Sequence, residues 1–352
     1  MKTLVLSVNA QELDMRKIRF AAELIKKGGL VAFPTETVYG LGADALNPDA
    51  VLSVFEAKKR PLDNPPIVHV CKVSDVRRLV KEVPSKAKGL MKRFWPGPLT
   101  LILKHSTIVP EVTVACLDTI ALRMPSHKVA LALIKESGCP IAAPSANLAG
   151  KPSPTSARHV LDDLDGRIDA ILDAGPTRIG IESTVLDLTV DPPQILRPGG
   201  TLYEALAESL GRVILNPAAV ADKMLPITQT SSPGVKHRHY APNADMFLVE
   251  GKADAVMCKI DELISFYKSK GKKVGVLTTD ETKTHDGSGI VKSLGSRNDL
   301  AVIANNLFRL LREFDNEDVD VIIAEGVSDS GIGLAVMNRL RKAAAYKIIK
   351  AS

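Results

Sequence analysis

The chain has 352 residues, 45% hydrophobic and 24% charged, which fits a folded globular protein and excludes a disordered one. That length exceeds the usual single domain, so two domains are expected, each with its own core. A net charge of +6 suits phosphate-bearing or carboxylate ligands or nucleic acid, whereas 4% aromatic residues and one Trp weigh against a stacking platform for single strands.

The opening run Met1-Lys-Thr-Leu-Val-Leu-Ser-Val8 is too short and too soon polar for a signal peptide. No run of about 18 apolar residues occurs, so no membrane span is expected. Cys71, Cys116, Cys139 and Cys258 lie far apart, without metal-ligand spacing, and read as reduced core thiols of a cytoplasmic protein.

In chain order, residues 14–27 place Ile18, Ala21, Ala22 and Ile25 on one helical face and end at Gly28-Gly29, a C-cap signal. Leu30-Val-Ala-Phe-Pro34 follows as a buried strand. Thr35, Glu36, Thr37 and Tyr39 are expected on the loop that leaves it, with Gly40 and Gly42 admitting a ligand or a neighbouring backbone. Asn47 precedes a helix at 49–59 with Val51, Val54 and Phe55 inward. Strands are expected at 66–70, 99–104, 120–124, 140–144, 170–173, 184–188 and 194–196, and helices near 85–93, 128–137, 156–163 and 202–210. So many strands per helix predict a twisted, mixed sheet over residues 1–213.

Periodicity fades over 214–243, where prolines at 217, 226, 233 and 242 mark a linker. Its centre, Val235-Lys-His-Arg-His-Tyr-Ala-Pro242, is too rich in basic and titratable groups for a passive spacer. Over 244–352 strands at 246–250, 273–279, 289–294 and 319–324 alternate with helices at 254–269, 298–313 and 334–346, which predicts a smaller parallel, Rossmann-like α/β domain. Gly331-Ile-Gly333 is followed by Val336 where a dinucleotide fingerprint has its third glycine, so the match to that fingerprint is partial.

Five segments of the first domain share one design, an apolar strand or helix that exits into small, hydroxyl or cationic residues. The first is the stretch after Pro34. The second puts Lys58 and Arg60 at a helix end beside Pro61-Leu-Asp-Asn-Pro65, aimed with Asn64 toward the strand of His69; the helix dipole alone also favours cations there. The third sets Arg123 in an apolar strand, where it needs either a carboxylate partner in the protein or an anionic ligand, and the neighbouring segments favour the ligand. The fourth, Ala142 to Ser153, exposes Ser145, Asn147 and Ser153, and the fifth joins Glu182-Ser-Thr-Val-Leu-Asp187 with Arg197. No phosphate-binding P-loop, nucleophile elbow, H-E-x-x-H or C-x-x-C motif occurs. A cationic, hydroxyl-rich site of this kind suits nucleotidyl or phosphoryl transfer, where alignment and charge stabilisation carry the catalysis.

As a set, Pro34-Thr-Glu-Thr-Val-Tyr-Gly-Leu41, Lys58-x-Arg60 with Asn64-Pro65, His69, Trp95-Pro-Gly-Pro98, Arg123-Met-Pro125, Ser145-Ala-Asn147, Glu182-Ser-Thr-Val185 and Leu196-Arg-Pro-Gly199 resemble the YrdC-like domain of the threonylcarbamoyl-AMP synthase family. Ser232-Pro-Gly-Val-Lys-His-Arg-His-Tyr-Ala-Pro242 and Met337-Asn-Arg-Leu-Arg-Lys-Ala343 resemble the longer, two-domain form. Pro66 and Val235 depart from the family's usual larger aliphatic residue and Met, without removing a chemical group.

The resemblance implies conversion of L-threonine, bicarbonate and ATP to threonylcarbamoyl-AMP and pyrophosphate by a nucleotidyltransferase. The product feeds the N6-threonylcarbamoyl modification of adenosine 37 in tRNAs that read codons starting with A, through hand-over to the tRNA-modifying complex and without stable nucleic-acid binding by this chain. It implies Lys58, Arg60 and Arg123 as catalytic residues, and Thr35, His69, Arg123, Ala143 and Ser183 around threonine. ATP falls to Lys58, Arg60, Asn64, Thr119, Ser145, Asn147, Ser153, Arg197 and Tyr240, with magnesium carried on the phosphates rather than in a protein cage. Arg238, His239 and Tyr240 are expected to form a lid that keeps water from the adenylate. Two other readings are a module that binds double-stranded RNA or a ribosomal precursor through its basic surface, and a carbamoyl transferase; the latter lacks here the extra domains such enzymes carry.

Overall fold

In the computed structural model, which describes residues 2–223, 239–283 and 289–352, the first helix runs Met15–Lys26. Asp14 caps it, accepting from the Arg16 and Lys17 N–H groups, and Asn47 caps the helix Pro48–Lys58 in the same way through Asp49 and Ala50. The chain divides into two compact units. Residues up to Ala149 with Ser153–Ala219 form the first; Gly150–Pro152, residues 220–223 and the described residues from 239 onward belong to the second.

Among the described residues the first unit is built on an eleven-stranded sheet. Its strands are β1 (Leu4–Ser7), β2 (Val31–Pro34), β3 (Tyr39–Asp44), β4 (Val68–His69), β5 (Leu99–Lys104), β6 (Thr119–Arg123), β7 (Ile141–Ala142), β8 (Ala170–Asp173), β9 (Thr184–Asp187), β10 (Gln194–Arg197) and β11 (Ile214–Leu215). Their spatial order is β1-β8-β2-β3-β7-β4-β6-β5-β9-β10-β11, with parallel and antiparallel neighbours mixed as expected. Helices Met15–Lys26 and Lys128–Ser137 pack one apolar layer, through Ile25, Phe33, Leu133 and Ile141. Helices Pro48–Lys58 and Ala157–Leu164 pack another, through Val54, Leu41, Val160 and Ile171.

Four expectations change. Tyr39 does not sit on the loop: it opens β3, which returns antiparallel on β2 with Pro34 opposite Tyr39 and Phe33 opposite Gly40. A Cβ on Gly42 would lie 2.7 Å from both Phe33 and Ile141, so this glycine admits neighbouring protein side chains, not a ligand. The linker expected from residue 214 begins as sheet, because Ile214 and Leu215 pair in parallel with Gln194 and Ile195, and Pro217–Val220 is a short helix. The cysteines are free thiols; Cys71 and Cys139 are half-buried against a core cluster, but Cys116 and Cys258 are exposed and are not core residues.

The second unit is the parallel α/β domain its alternation predicts. Strands β12 (Asp245–Gly251), β13 (Val274–Thr278), β14 (Ile290–Ser293), β15 (Val321–Glu325) and β16 (Ile348–Ala351) lie in the order β14-β13-β15-β12-β16, and their pairings are parallel. Helix Ala253–Ser269 packs Val256, Ile260 and Ile264 on Val249, Val274, Val276 and Ile323. Gly275, between Val274 and Val276, faces Phe314 of the helix Leu300–Asn316, so alternation along β13 sets that helix on the opposite face.

Candidate functional site

Strand register assembles the site in the first unit. His69 of β4 pairs with Arg123 of β6, Arg123 with Thr100 of β5, Thr100 with Val185 of β9, and Val185 with Arg197 of β10. Residues in register share a face, so one row crosses five strands carrying an imidazole, a guanidinium, a hydroxyl and a second guanidinium. Two residues along the same face the next positions are apolar, and Ile67, Ala121 and Ile102 form one buried cluster with Val185 of the row itself and Leu196. A polar row bordered on the same face by apolar side chains makes a surface that desolvates and orients a small polar ligand.

The turn after β2 closes against this row. Thr35 Oγ1 donates to Val38 O at 2.6 Å and accepts from the Thr37 and Val38 N–H groups, which locks the turn. Glu36 is buried beside Arg123, with Oε1 at 2.7 Å from Nη2, while Oε2 accepts from Ser126 N at 3.0 Å. The partner that Arg123 needs is therefore Glu36, and the reading that an anionic ligand alone satisfies this guanidinium is corrected. Arg123 also donates from Nε to Gly97 O at 3.3 Å.

His69 is 3% exposed, its Nδ1 3.1 Å from Ile67 O. Burial first, and then the charge of Arg123, lower its pKa from 6.5 to about 3. The folded state thus keeps the imidazole neutral, while the unfolded chain takes up its proton below about 6.5. Its contribution to stability is complete above pH 6.5 and declines as pH falls toward 3. Urea titrations should show a loss on the order of a few kcal/mol over that window, reduced in His69→Gln. Identical acid limbs in both proteins would remove His69 as the cause.

At the far end of the row, Ser183 Oγ and Thr100 Oγ1 share a hydrogen bond of 2.8 Å, and Arg197 donates from Nη2 to Ser183 Oγ at 3.2 Å and to Ser183 O at 3.0 Å. Ser153 Oγ donates to Glu182 Oε1 at 2.5 Å. Lys58, 1% exposed, points into the protein, its Nζ donating to the carbonyls of Ser145 and Asn147. Ser145 Oγ donates to Asn147 Oδ1 at 2.6 Å, and Ala143 N to Ile67 O at 2.8 Å, tying that loop to β4. Arg60 staples its own turn, donating to Asn64 O and Pro65 O at 2.9 and 3.3 Å. Thr119 shares the face of Arg123 and Ala121 at the other end of β6 and lines a small cleft with Pro65 and Pro66.

The row and its flanking loops thus gather Thr35, Lys58, His69, Arg123, Ala143, Ser145, Asn147, Ser153, Ser183 and Arg197, with Arg60, Asn64 and Thr119 along one side. Tyr240 belongs to the second unit, where its ring lies 5.2 Å from that of Phe308 and 5.7 Å from the Arg339 guanidinium. Arg238 and Val235 fall outside the described residues. Sequence reasoning passed over Thr100 and the pairing role of Glu36. Thr100, a hydroxyl at an inward position of the apolar run Leu99-Thr-Leu-Ile-Leu103, carried a signal of its own.

Residues 23–199 match a sequence family described as Telomere recombination, and residues 203–345 match one described as Threonylcarbamoyl-AMP synthase, C-terminal domain. A Pyrococcus abyssi protein named threonylcarbamoyl-AMP synthase is 51% identical over 348 residues, spanning 99% of each chain. A Bacillus subtilis protein of the same name is 52% identical over 336 residues, spanning 95% of this chain and 94% of its own. The crystal structure of P. abyssi Sua5 complexed with L-threonine matches the fold with a TM-score of 0.94 at 51% identity, covering 99% of this chain and all of that one.

Proposed function

Because the chain belongs to the threonylcarbamoyl-AMP synthase family, we propose that it makes threonylcarbamoyl-AMP and pyrophosphate from L-threonine, bicarbonate and ATP, the first step toward N6-threonylcarbamoyladenosine at position 37 of tRNAs reading codons that start with A. The observation that supports it best is the buried row His69–Arg123–Thr100–Arg197, bordered by an apolar cluster and closed by the Thr35 turn. The relatives' names favour this reading over an RNA-binding module.

In this reading the threonine lies along the row. Its carboxylate meets Arg123, which Glu36 holds in place, and its hydroxyl and methyl meet Thr35, neutral His69, Ala143 and Ser183. The amine takes up bicarbonate as a carbamate with loss of water. A carbamate oxygen then bonds to the α-phosphorus of ATP while the bond from that phosphorus to the bridging oxygen breaks and pyrophosphate leaves. Arg197, Arg60, Ser145, Asn147 and Ser153 face the nucleotide, with Asn64 and Thr119 toward its base. Cations and amide dipoles already fixed by the fold stabilise charge as it moves to pyrophosphate.

Magnesium would supply further neutralisation. Among the described residues no cluster of three His, Cys, Asp or Glu side chains could hold a metal, and the buried carboxylates here are engaged, Glu36 by Arg123 and Glu182 by Ser153. The residues fit a metal carried on ATP phosphates rather than on protein carboxylates. No helix among the described residues is long and apolar enough to cross a membrane, and we place the reaction in the cytoplasm, with the product handed to the tRNA-modifying enzymes.

Pyrophosphate release with ATP, magnesium and bicarbonate tests the proposal. Release should require both bicarbonate and L-threonine and should fall away with L-serine, with L-valine or without amino acid. Absence of any threonine-dependent release would discard the assignment.

A further inference from the structure

We propose that the second unit holds a binding site for a small phosphate-bearing molecule, in the crevice at the carboxyl ends of β12 and β15. The topology singles out this place. β12 and β15 are parallel neighbours; the chain leaves β12 into the helix Ala253–Ser269 on one face, and leaves β15 through residues 326–332 into the helix Gly333–Ala343, which packs with Leu300–Asn316 on the other. Where adjacent parallel strands send their connections to opposite faces, the loops part and leave a crevice, the usual ligand position of an open α/β sheet.

A cavity of about 360 Å³ opens there, lined among others by Glu250, Arg297, Asn298, Gly326, Ser328 and Arg341. That volume suits a mononucleotide or smaller anion. One wall is formed by Gly326-Val-Ser-Asp329, the start of the loop that runs on through the partial fingerprint Gly331-Ile-Gly333, which the first unit's site leaves unused. A Cβ on Gly333 would lie 2.0 Å from Ser328 O, so the serine-bearing loop folds tightly onto the start of the helix. The Gly333 and Ala335 N–H groups donate within this turn, to Ser330 O and Ile332 O, so the loop's part in phosphate binding falls to Ser328, which lines the cavity.

A fixed donor supports the same ligand. Glu325 is fully buried; it accepts from Thr279 N at 2.9 Å and from the Thr282 hydroxyl, and it pairs with Nη2 of Arg297. That pair fixes the Arg297 guanidinium, whose Nε is shielded from solvent and has no hydrogen-bond partner among the described residues. A fixed, desolvated N–H donor calls for an acceptor. Of the two carboxylates that line the cavity, Glu250 is paired with Arg341 at 2.8 Å and Lys350 at 2.7 Å, and Asp329 is exposed. Lys350 also lies 3.8 Å from Asp222, so the ion pairs around the cavity are internally compensated, and what it offers an anion is the unpartnered Arg297 Nε donor.

Hydrogen exchange on the full chain with AMP, inorganic pyrophosphate or inorganic phosphate, and with citrate as a carboxylate control, tests the site independently of the first unit's reaction. Peptides covering 294–300 and 325–334 should gain protection with at least one phosphate compound. Arg297→Gln should abolish that gain, and Asn298→Asp should weaken it at least tenfold in half-saturating concentration, while peptides covering 35–38 and 143–147 respond as in the unaltered protein. Asn298 is exposed, so its variant decides the matter if Arg297→Gln does not fold. No protection at millimolar phosphate compounds, protection by citrate alone, or unchanged protection in Asn298→Asp would overturn the proposal.

Discussion

Arg123→Ala should abolish threonine-dependent pyrophosphate release and lower folding stability by about 3–5 kcal/mol, because it leaves the Glu36 carboxylate buried without its counter-charge. The two effects have separate origins and can be pulled apart. Glu36→Gln combined with Arg123→Met removes both charges and should recover most of the stability, since a buried ion pair replaced by uncharged groups of similar volume is often neutral. If Arg123 also holds the threonine carboxylate, the double variant stays inactive or needs far more threonine. A double variant that regains stability and keeps the original KM for threonine would reduce Arg123 to a structural partner of Glu36. Glu36→Gln alone is the informative intermediate: Arg123 keeps its charge but loses the group that aims it, so the KM for threonine should rise with a smaller loss of kcat.

This pair also shows how far the sequence could be read. An Arg in the apolar run Thr119-Ile-Ala-Leu-Arg123 announces that some negative group must face it. Which group does so depends on the pairing of β4, β6 and β5, segments far apart in the chain, and on a turn near residue 36 that packs across them. Strand exits into polar residues were visible because each is local: a run of apolar residues ends and hydroxyls or cations follow. The row His69–Arg123–Thr100–Arg197 was not, because register is a property of neighbours and not of any one strand. Tyr39 misled for the same reason. A phenol beside glycines resembles a ligand loop, but its hydroxyl donates to Gly175 O at 2.7 Å, and the glycines make room for Phe33 and Ile141. The second unit was easier, since strict alternation of strands and helices leaves few topologies. Its last strand, Ile348–Ala351, was missed; it is a short edge strand, half-exposed along most of its length.

Lys58→Met should cut kcat/KM for ATP by at least about a hundredfold, and the route of the loss distinguishes two roles for the ammonium. Two of its contacts are to main-chain carbonyls, of Ser145 and Asn147, in the loop that presents their side chains. Methionine fills similar space but donates nothing, so both carbonyls lose a charged donor in a buried place, at about 1–3 kcal/mol each. The consequence should be visible without nucleotide: amides of residues 143–147 exchange faster in Lys58→Met, and the KM for ATP rises because the loop is no longer held in its binding form. Lys58→Arg should not rescue, since a planar guanidinium does not fit a cavity shaped for a compact ammonium. If the amides of 143–147 keep their protection in Lys58→Met while activity collapses, the ammonium acts on the transferring phosphate directly and the loop is held by other bonds, such as Ala149 N to Lys58 O at 2.9 Å, which the substitution leaves in place.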